Sequence, residues 1–565
     1  MPRSISSLRA EIAAQPQLAL WISHLWQRLH EHRRLGLILG AGVSLGAKCP
    51  LWVELVKRLG RRAAKGKGAA LRAHRKAGLP ETYLTQILYS LHSGHIAERS
   101  AVAPDLLRFH IDASWMNIVH QELYRDNADL SFEELLRIHP YLRDLGELVC
   151  NAGFTVNFNF DDIVDEAAIR HAESVPRSAR RELELPEIIW RPKVETRRNA
   201  PVIYHINGLL PREIRRKRSE TLVFTEEAFA DVLISPQTLD AEFTMSKFGN
   251  TTFLILGTSL TDNSLKNMLR AGIRRNAANY HYIVYWEDLA AKRSDDERKQ
   301  IFDVNFEVYN LISIFLDTQG IGELIKLLNL ESAEFVRAFA RYGVAGDKIR
   351  RRYYLVGAVA SGKSTNLEAL RSFTTYEEWS KLPPAVMYQD HNTLSAEERE
   401  EVNEWIYDQL RDKNAKMRRL DPGIAVMDRA FFDLFAFSRT ATENLEKAED
   451  ISQKVIDLEG RTGLEPGHIL FLDANSTAFA QRLARRGIIA RARGGRGYKP
   501  DQLVTQSNTL KTIYRPISGS VIDTSYFPCE STSKNIARQI LLGDYCPFDF
   551  TLRLNEIRAA DGRLD

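Results

Sequence analysis

The sequence predicts an α/β protein with two lobes, the first built on a doubly wound parallel sheet with a helical insertion. Short apolar segments alternate with amphipathic ones along most of the chain, which is typical of a parallel sheet covered by helices. Two of these segments run directly into glycine-rich turns, at Gly40 and Gly357. The length of 565 residues also exceeds what a single hydrophobic core supports.

Apolar runs give the candidate strands of each lobe. Those of the first lobe are LGLILGAG, FTVNFNFDD, PVIYHINGLL, TLVFTEEAF, TTFLILGTSL and YHYIVYW. Those of the second lobe are YYLVGAV, PAVMYQD, GIAVMDR, HILFLDA and SGSVIDT. Charge pairs in SAEEREEVNEWIYDQLRDKNAKMRR indicate an exposed helix. The predicted domains are an N-terminal helical segment (1–32), a first lobe (33–345) with a mostly helical insertion at about 53–150, and a second lobe (346–565).

Composition excludes several classes of protein. Hydrophobic residues make up 44% of the chain and charged residues 27%, so a disordered chain is not expected. The net charge of +4 and the basic runs at 61–76 and 212–220 come without a nucleic-acid-binding motif, so nucleic acid is not an expected partner. Four scattered cysteines indicate neither a disulfide framework nor a zinc site. Without a signal peptide or a long apolar stretch, we expect a cytoplasmic protein with no membrane span.

The second glycine turn fits the pattern G-x-x-x-x-G-K-[ST] between an apolar strand and a helical segment. Glycines at 357 and 362 allow backbone N–H groups to surround phosphate oxygens, and Lys363 can reach the outer phosphates. Ser364, followed by Thr365, can hold Mg²⁺. ATP and Mg²⁺ are therefore the expected ligands of this P-loop, with a plain glycine turn before a helix as the alternative.

The segments after the P-loop carry a resemblance to nucleotide kinases. GIAVMDRAFFDLFAF, with Asp428 and Arg429, resembles the strand and Asp-Arg motif of thymidylate-kinase-like and deoxynucleoside-kinase-like enzymes. HILFLDANSTAFAQRLARRG resembles their later strand and the helix that leads to an arginine-rich lid, here with Arg486 and Arg491. The resemblance covers about 350–545 and implies a P-loop kinase-like α/β domain in which Ser364 and Asp428 hold the metal. Asp390 stands where the family has an acidic residue that faces the acceptor. The arginines could equally form a solvated basic face.

Four motifs in the first lobe resemble one family in the same order. They are LGLILGAGVSLGAKCPLW, FNFDDIVDEA, LVFTEEAFADVL and LILGTSLTDNSLKNML. A glycine turn after a strand is weak evidence alone. Together the motifs resemble sirtuins, and more closely the sirtuin-like domains of bacterial anti-phage defence proteins, over about 33–290. The resemblance implies a Rossmann-like fold that binds NAD. The implied contacts are Gly40, Ala41, Gly42, Ser44, Trp52, Gly257, Ser259 and Asp262.

Polar residues close the second of these strands. In a doubly wound sheet a ligand binds outside the carboxyl ends of the strands, so a strand that ends in Asn159 and Asp161 presents polar groups to a pocket. The resemblance implies that Asn159 positions the water or the ribose at the glycosidic carbon, and that Asp161 holds the local geometry. The alternative is that both residues only cap the next helix.

One position departs from the family. The family carries a catalytic His directly before Gly in a motif of the type H-x-H-G, whereas this chain reads Tyr204-His205-Ile206-Asn207-Gly208. Asn cannot accept a proton near neutral pH. The position could have been changed deliberately to hold an inactive form, His205 could have taken the catalytic role, or the domain could bind NAD without cleaving it. We favour the first, with a natural domain that hydrolyses NAD and a chain that is impaired at Asn207.

The resemblances together imply an anti-phage defence effector that hydrolyses NAD to nicotinamide and ADP-ribose, coupled to a lobe that binds or phosphorylates nucleotides. They also imply a homo-oligomer and an activator that is phage-derived or a nucleotide. The main alternative is a nucleotide kinase whose first lobe only binds NAD or a nucleotide signal. A protein deacylase is disfavoured because its zinc-binding cysteine pairs are missing. A catalytically silent scaffold is the remaining alternative.

Overall fold

The computed structural model divides the chain into two compact units. The first comprises Met1–Ala14, Arg28–Arg275 and Tyr280–Glu331, and the second comprises Gln15–Gln27, Asn276–Asn279 and Ser332–Asp565. The residues described are 6–31, 33–63, 74–99, 102–175, 184–191, 197, 199–213, 216–234, 248–288, 290–389, 394–456, 463–490, 499–517 and 519–564.

The described strands of the first unit form one parallel sheet. They are β1 (Leu35–Leu39), β2 (Phe154–Asn157), β3 (Glu187–Ile189), β4 (Val202–His205), β5 (Thr252–Leu256), β6 (His281–Trp286) and β7 (Leu311–Leu316). Their order is β3-β4-β2-β1-β5-β6-β7, with parallel pairing throughout. The mixed α/β class with a parallel sheet is therefore confirmed.

The described helices of the first unit include a run of five between β1 and β2. The helices are α1 (Ser7–Ala14), the end of α2 (Gln17–His30), α3 (Trp52–Ala63), α4 (Glu81–Ala97), α5 (Pro104–Leu123), α6 (Phe132–Ile138), α7 (Tyr141–Ala152), α8 (Ile163–Ser174), α9 (Glu226–Ile234), α10 (Asn263–Arg275), α11 (Asp295–Tyr309) and α12 (Thr318–Leu328). Helices α3 to α7 contribute to a hydrophobic cluster around Leu59, Leu88 and Val119.

The central strands explain where a site can form. Strands β1 and β5 are buried at every residue, as expected for strands with both faces covered by helices. In the register, Leu39 pairs with Asn157 of β2 and with Leu256 of β5. The three strands therefore end at the same level, and the turns that follow them meet at one edge of the sheet.

One predicted strand of the first unit is wrong. In TLVFTEEAF the residues before Glu226 form a turn, in which the backbone N of Phe224 donates to the carbonyl of Leu222. The side chain of Phe224 is buried, so the apolar letters mark an anchored turn. Glu226 and Glu227 then open α9, because acidic residues favour a helix N-terminus. Strands β3 and β7 were not predicted, although β7 reads LISIFL.

The second unit contains a parallel sheet of five described strands. They are β8 (Arg350–Val356), β9 (Thr374–Tyr376), β10 (Gly423–Asp428), β11 (His468–Asp473) and β12 (Val521–Asp523), in the order β12-β11-β8-β10-β9. The helices that the structure describes in this unit are the first part of α2, α13 (Ser332–Arg341), α14 (Lys363–Ala369), α15 (Ala396–Arg418), α16 (Ala441–Asp450), α17 (Ser476–Ala490), α18 (Pro500–Tyr514), α19 (Cys529–Leu542) and α20 (Phe550–Ala559). Short 3-10 segments are Ala41–Val43, Gly346–Lys348, Ala385–Tyr388 and Asp433–Phe437, and Ile451–Ile456 is a π-helix.

One predicted strand of the second unit is wrong, and one predicted helix is exposed only in part. PAVMYQD contains a 3-10 turn, Ala385–Tyr388, instead of a strand, and Pro384 before it has no N–H for a sheet ladder. Helix α15 forms with a predicted i,i+4 charge pair, Asp412–Lys416, and its first half is mostly exposed. It is not exposed along its whole length, because its second half buries Leu410, Lys413 and Met417. Within the described residues, no helix has the length and apolarity to cross a membrane.

Two helical glycines of the first unit predict opposite effects on stability. A Cβ on Gly146 of α7 would lie 2.6 Å from the carbonyl carbon and oxygen of Ala167 in α8, whereas a Cβ on Gly322 of α12 would meet no atom within 4 Å. We therefore expect Gly146→Ala to lower the free energy of unfolding by about 1–3 kcal/mol through overpacking. Gly322→Ala should raise it by about 0.5–1 kcal/mol. Urea denaturation of both variants checks this, and stabilisation by both would contradict the close α7–α8 packing.

Candidate functional site

Two glycine turns of the first unit lie in direct backbone contact. The backbone N of Gly40, just after β1, donates to the carbonyl of Leu256 (3.0 Å), and that of Gly42 donates to the carbonyl of Gly257 (2.8 Å). A Cβ on Gly42 would lie 2.8 Å from Cα of Gly257, and Gly257 itself has a left-handed backbone with φ of 68°. No side chain fits between the turns, so glycine is required there for close approach.

Asn159 lies against the first of these turns. Its side-chain Nδ2 donates to the carbonyl of Gly40 (3.1 Å), and its backbone N donates to Oδ1 of Asn157 (3.1 Å). Its carbonyl lies 2.9 Å from Nδ1 of His205. Asn159 is 5% exposed, and within the described residues no donor reaches its Oδ1. The amide is thus fixed in orientation with one acceptor unused.

Asp161 joins the same turn to helix α8. Its Oδ1 accepts from the hydroxyl of Ser44 (2.8 Å) and from the backbone N of Ile163 (3.2 Å). Burial raises the pKa of Asp161 above its ordinary value, against the lowering effect of these hydrogen bonds. The bond to Ile163 is a contact at a helix start, and the bond to Ser44 adds a second role, because it fixes the glycine turn.

Asn207 forms hydrogen bonds with the backbone of two neighbouring segments. Its side-chain Nδ2 donates to the carbonyl of Phe158 (3.0 Å), and its backbone carbonyl accepts from the backbone N of Val223 (2.9 Å). The side chain follows β4 and is 8% exposed. It lies beside the segment that carries Asn159, but it offers an amide in place of a titratable ring.

His205 forms a buried ion pair with Asp165, which the sequence did not single out. Its Nε2 lies 3.0 and 2.9 Å from the two carboxylate oxygens of Asp165, and its Nδ1 faces the carbonyl of Asn159. Both ring nitrogens face acceptors, and a doubly protonated ring satisfies both, so we assign an imidazolium. Burial lowers the pKa of His205, but the charge and hydrogen bonding of Asp165 and the Asn159 carbonyl outweigh it and raise the pKa.

This arrangement leaves His205 no ring nitrogen for a ligand. The residue is buried, and both nitrogens are engaged inside the protein. Only the register of β2 and β4, which pairs Asn157 with His205, could have pointed to its neighbours, and a register is not visible in sequence. Asp165 reads in sequence as an ordinary acidic residue of a first helical turn.

The other residues predicted to contact NAD have different neighbours from Asn159. Trp52 packs against Phe160 and Phe224, with ring centroids 6.5 and 5.7 Å apart. The hydroxyl of Ser259 is exposed and lies 2.9 Å from that of Thr261. The carboxylate of Asp262 accepts from the backbone N of Ser264 and of Leu265, and so caps α10. Ala41 begins a 3-10 turn. None of the hydrogen bonds of Ser259 or Asp262 joins them to Asn159 in the described part of the chain.

Part of the first unit matches a known protein family. Residues 154–309 match the family model of the SIR2-like domain. The matched segment runs from β2 to α11 and contains Asn159, His205, Asn207 and Gly257. The turn at Gly40 lies before the match, and its backbone contacts with Gly257 join it to the SIR2-like segment. A search of curated proteins returned no match.

In the second unit, the loop between β8 and α14 is closed around its own lysine. Nζ of Lys363 donates to the carbonyls of Gly357 (2.7 Å) and Ala358 (3.0 Å). A Cβ on Gly357 would lie 2.3 Å from the carbonyl oxygen of Leu472, and Gly362 has φ of 100°. Burial, with the nearby charge of Arg429, lowers the pKa of Lys363 to about 8. The ammonium therefore lies inside the loop rather than in solvent.

Ser364, at the start of α14, and Asp428, at the end of β10, are in direct contact. The hydroxyl of Ser364 donates to Oδ2 of Asp428 (3.0 Å), while Oδ1 of Asp428 is buried without a hydrogen-bond partner among the described residues. Nζ of Lys413 donates to the backbone carbonyl of Asp428 (3.0 Å), a contact that the sequence did not reveal. A hydroxyl and a carboxylate with an unmet oxygen are a donor set that suits Mg²⁺. Thr365 is exposed.

The arginines of the second unit include three that were predicted (Arg429, Arg486 and Arg491) and one, Arg482, that also contacts the loop. The guanidinium of Arg429 pairs with Glu378 (2.6 Å) and lies 3.5 Å from Asp433, so its charge is engaged with carboxylates. Arg482 of α17 donates to the carbonyl of Ala360 in the loop (3.1 Å). The side chain of Arg486, together with Arg491 and Asp390, lies outside the described residues.

The His205–Asp165 pair predicts a pH dependence of stability. Because the folded protein raises the pKa of His205, its contribution is complete below the ordinary value of 6.5 and is lost as the pH rises through the folded value. Burial also raises the pKa of Asp162 to about 6, so the protein loses stability through this group too as the pH rises, but between its ordinary value and about 6. We expect the melting temperature of the protein, relative to that of His205→Leu/Asp165→Leu, to fall above pH 6.5. A constant difference between pH 6.5 and 9 would contradict the ion pair.

Proposed function

We propose that the first unit binds NAD where the Gly40 turn meets Asn159, and that its reaction is the hydrolysis of NAD to nicotinamide and ADP-ribose. The observation that carries the proposal is the hydrogen bond from the Asn159 amide to the Gly40 carbonyl, inside a unit whose 154–309 segment matches the SIR2-like domain. In this proposal the protein is an effector of anti-phage defence, since NAD loss stops a host cell.

The chemistry requires polar groups fixed in advance. When nicotinamide leaves, positive charge develops on the ribose, and oriented oxygen atoms stabilise that charge better than mobile water does. Oδ1 of Asn159 is the acceptor that points away from its Gly40 bond and can orient a water or a ribose hydroxyl. Asp161, tied to Ser44, keeps the glycine turn and the Asn159 segment in register.

Asn207 determines how far this chain takes the reaction. Its Nδ2 corresponds in position along the side chain to Nδ1 of a histidine, because both atoms are bonded to Cγ. A histidine at 207 that donates from Nδ1 to the Phe158 carbonyl, as Asn207 does now, has Nε2 left as a proton acceptor. We infer that the chain binds NAD and cleaves it slowly for lack of this base.

The second unit is proposed to bind ATP with Mg²⁺. Phosphate oxygens would replace the carbonyls of Gly357 and Ala358 as partners of Lys363, and Ser364 with Asp428 would hold the metal. In the full proposal, nucleotide binding or phosphorylation here controls the NAD reaction in a homo-oligomer that responds to a phage-derived or nucleotide activator. Such control requires a ligand that binds one state of the protein more tightly than the other. The second candidate, favoured by Asn207, is a nucleotide kinase whose first unit only binds NAD.

Restoring the base at 207 tests the NAD reaction. We expect the unchanged chain to bind NAD in calorimetry with little nicotinamide release, and Asn207→His to raise the release rate by about 10²–10⁴-fold, the range of a positioned general base. Adding Asn159→Ala to Asn207→His should abolish the gain. The matched control is Asn207→Leu, which has similar size and no base. Absence of NAD binding by the unchanged chain would overturn the proposal, and binding without turnover in Asn207→His would favour the second candidate.

The glycine loop of the second unit gives a separate test with ATP. At an ATP concentration of 100 times the dissociation constant, binding should stabilise the protein by about 2.7 kcal/mol. Lys363→Ala should remove this stabilisation, and Asp428→Asn should remove its dependence on Mg²⁺. Lys447→Ala is the control, because Nζ of Lys447 donates to Leu434 and Ser438 away from the loop. Thermal shift assays measure each effect, and equal shifts in the two lysine variants would refute ATP binding by the loop.

A further inference from the structure

Asn159 lies two residues beyond the last backbone hydrogen bond between β2 and β4. The last backbone bond between β2 and β4 at this end joins the N of Ile206 to the carbonyl of Asn157 (3.2 Å). Two residues later, the backbone of Asn159 is held by side chains instead. Its N–H donates to Oδ1 of Asn157 and its carbonyl accepts from Nδ1 of His205. The flanking residues have backbone partners of their own, because the N of Phe158 donates to the carbonyl of Leu39 (2.9 Å) and the N of Leu210 donates to the carbonyl of Phe160 (2.7 Å). The two side chains therefore fix the backbone of Asn159 itself.

His205 and Asp165 close a ring around this segment. The chain passes from Asn159 through Asp161 into α8, where Asp165 lies in the first turn. The carboxylate of Asp165 then returns to Nε2 of His205, whose Nδ1 reaches the carbonyl of Asn159. The turn that carries both Asn159 and Asp161 is thus bridged from its start to its end by one imidazolium.

A contribution to stability alone explains this pair poorly. Both side chains are almost fully buried, at 0% and 2% exposure, and burying two charges costs much of what their attraction returns. Apolar residues of similar volume often replace such pairs without loss of stability. An apolar pair, however, could not donate to the carbonyl of Asn159. A charged donor makes that hydrogen bond stronger than a neutral one.

We propose that the His205–Asp165 pair is a positioning device for Asn159, which holds its backbone from behind so that the side-chain amide stays on the Gly40 carbonyl. His205 acts through Asn159 and does not touch the ligand. Asp165 keeps the imidazole protonated and oriented, which secures the donor at Nδ1. This inference rests on the proposed NAD site, and it assigns a function to the histidine that the site itself cannot use.

Two matched double variants separate positioning from packing. His205→Leu/Asp165→Leu removes the ion pair and the donor to Asn159. His205→Asn/Asp165→Leu also removes the ion pair, but Nδ2 of the asparagine is bonded to Cγ like Nδ1 of histidine and can still donate to the Asn159 carbonyl. Both variants lose the same buried charges, so a difference between them reports the hydrogen bond to Asn159.

We expect the two double variants to differ in NAD chemistry more than in melting temperature. In the Asn207→His background, the Leu/Leu pair should lower kcat/KM for nicotinamide release by about 10²-fold, the cost of an ångström-scale misplacement, while the Asn/Leu pair keeps most of the rate. Equal rates in the two pairs would overturn the positioning role. If the Leu/Leu protein does not fold, His205→Met/Asp165→Leu replaces it, because the flexible methionine fills the site with less strain.

Hydrogen–deuterium exchange gives a readout that needs no NAD. Peptides that cover 158–165 should exchange faster in the Leu/Leu protein than in the Asn/Leu protein, with peptides from β6 unchanged as the internal control. Equal exchange in 158–165 would overturn the positioning role whatever the ligand is. If the exchange differs as expected but the unchanged chain binds no NAD, the proposed function fails while the positioning of Asn159 stands.

Discussion

The backbone contact between the Gly40–Gly42 turn and Gly257 is the constraint on which the candidate NAD site depends. It exists because no side chain intervenes, and a Cβ on Gly257 would lie 2.5 Å from the backbone N of Val43. The contact brings the ends of β1 and β5 together and leaves the Gly40 carbonyl facing β2. Asn159 takes that carbonyl as its partner. A bulkier residue in either turn would separate the strand ends and remove the acceptor that orients the amide.

Several charged groups are buried behind these turns, and the ionisable ones have specific partners. An unpaired buried polar group costs several kcal/mol, whereas Asp161 has Ser44 and His205 has both Asp165 and Asn159. The partners come from different strands and helices, so the cluster forms only when the sheet has assembled. A network of this kind specifies one arrangement of the site more than it adds stability.

The sequence predicts the strands that carry the turns better than it predicts the side-chain partners. The runs at β1 and β5 are apolar throughout because helices cover both faces of a central strand, and this pattern is visible in a single sequence. The turn at Phe224 looked like a strand because its apolar residues anchor a loop. The pairing of His205 with Asp165 and the burial of Lys413 depend on register and helix rotation, which are properties of the assembled fold.

The key polar side chains of the two units, Lys363 and Asn159, differ in whether their hydrogen bonds leave an atom for a ligand. Lys363 donates to two loop carbonyls, so a ligand that took the ammonium as its partner would have to displace these bonds. Asn159 is already oriented, because its backbone and Nδ2 are engaged, while no donor among the described residues reaches Oδ1. The Asn159 amide is therefore oriented without a ligand, and the side chain at 207 offers an amide where a histidine would offer a titratable ring. The Phe158 carbonyl that now accepts from Asn207 would fix the tautomer of a histidine at that position, because it would take the proton of Nδ1.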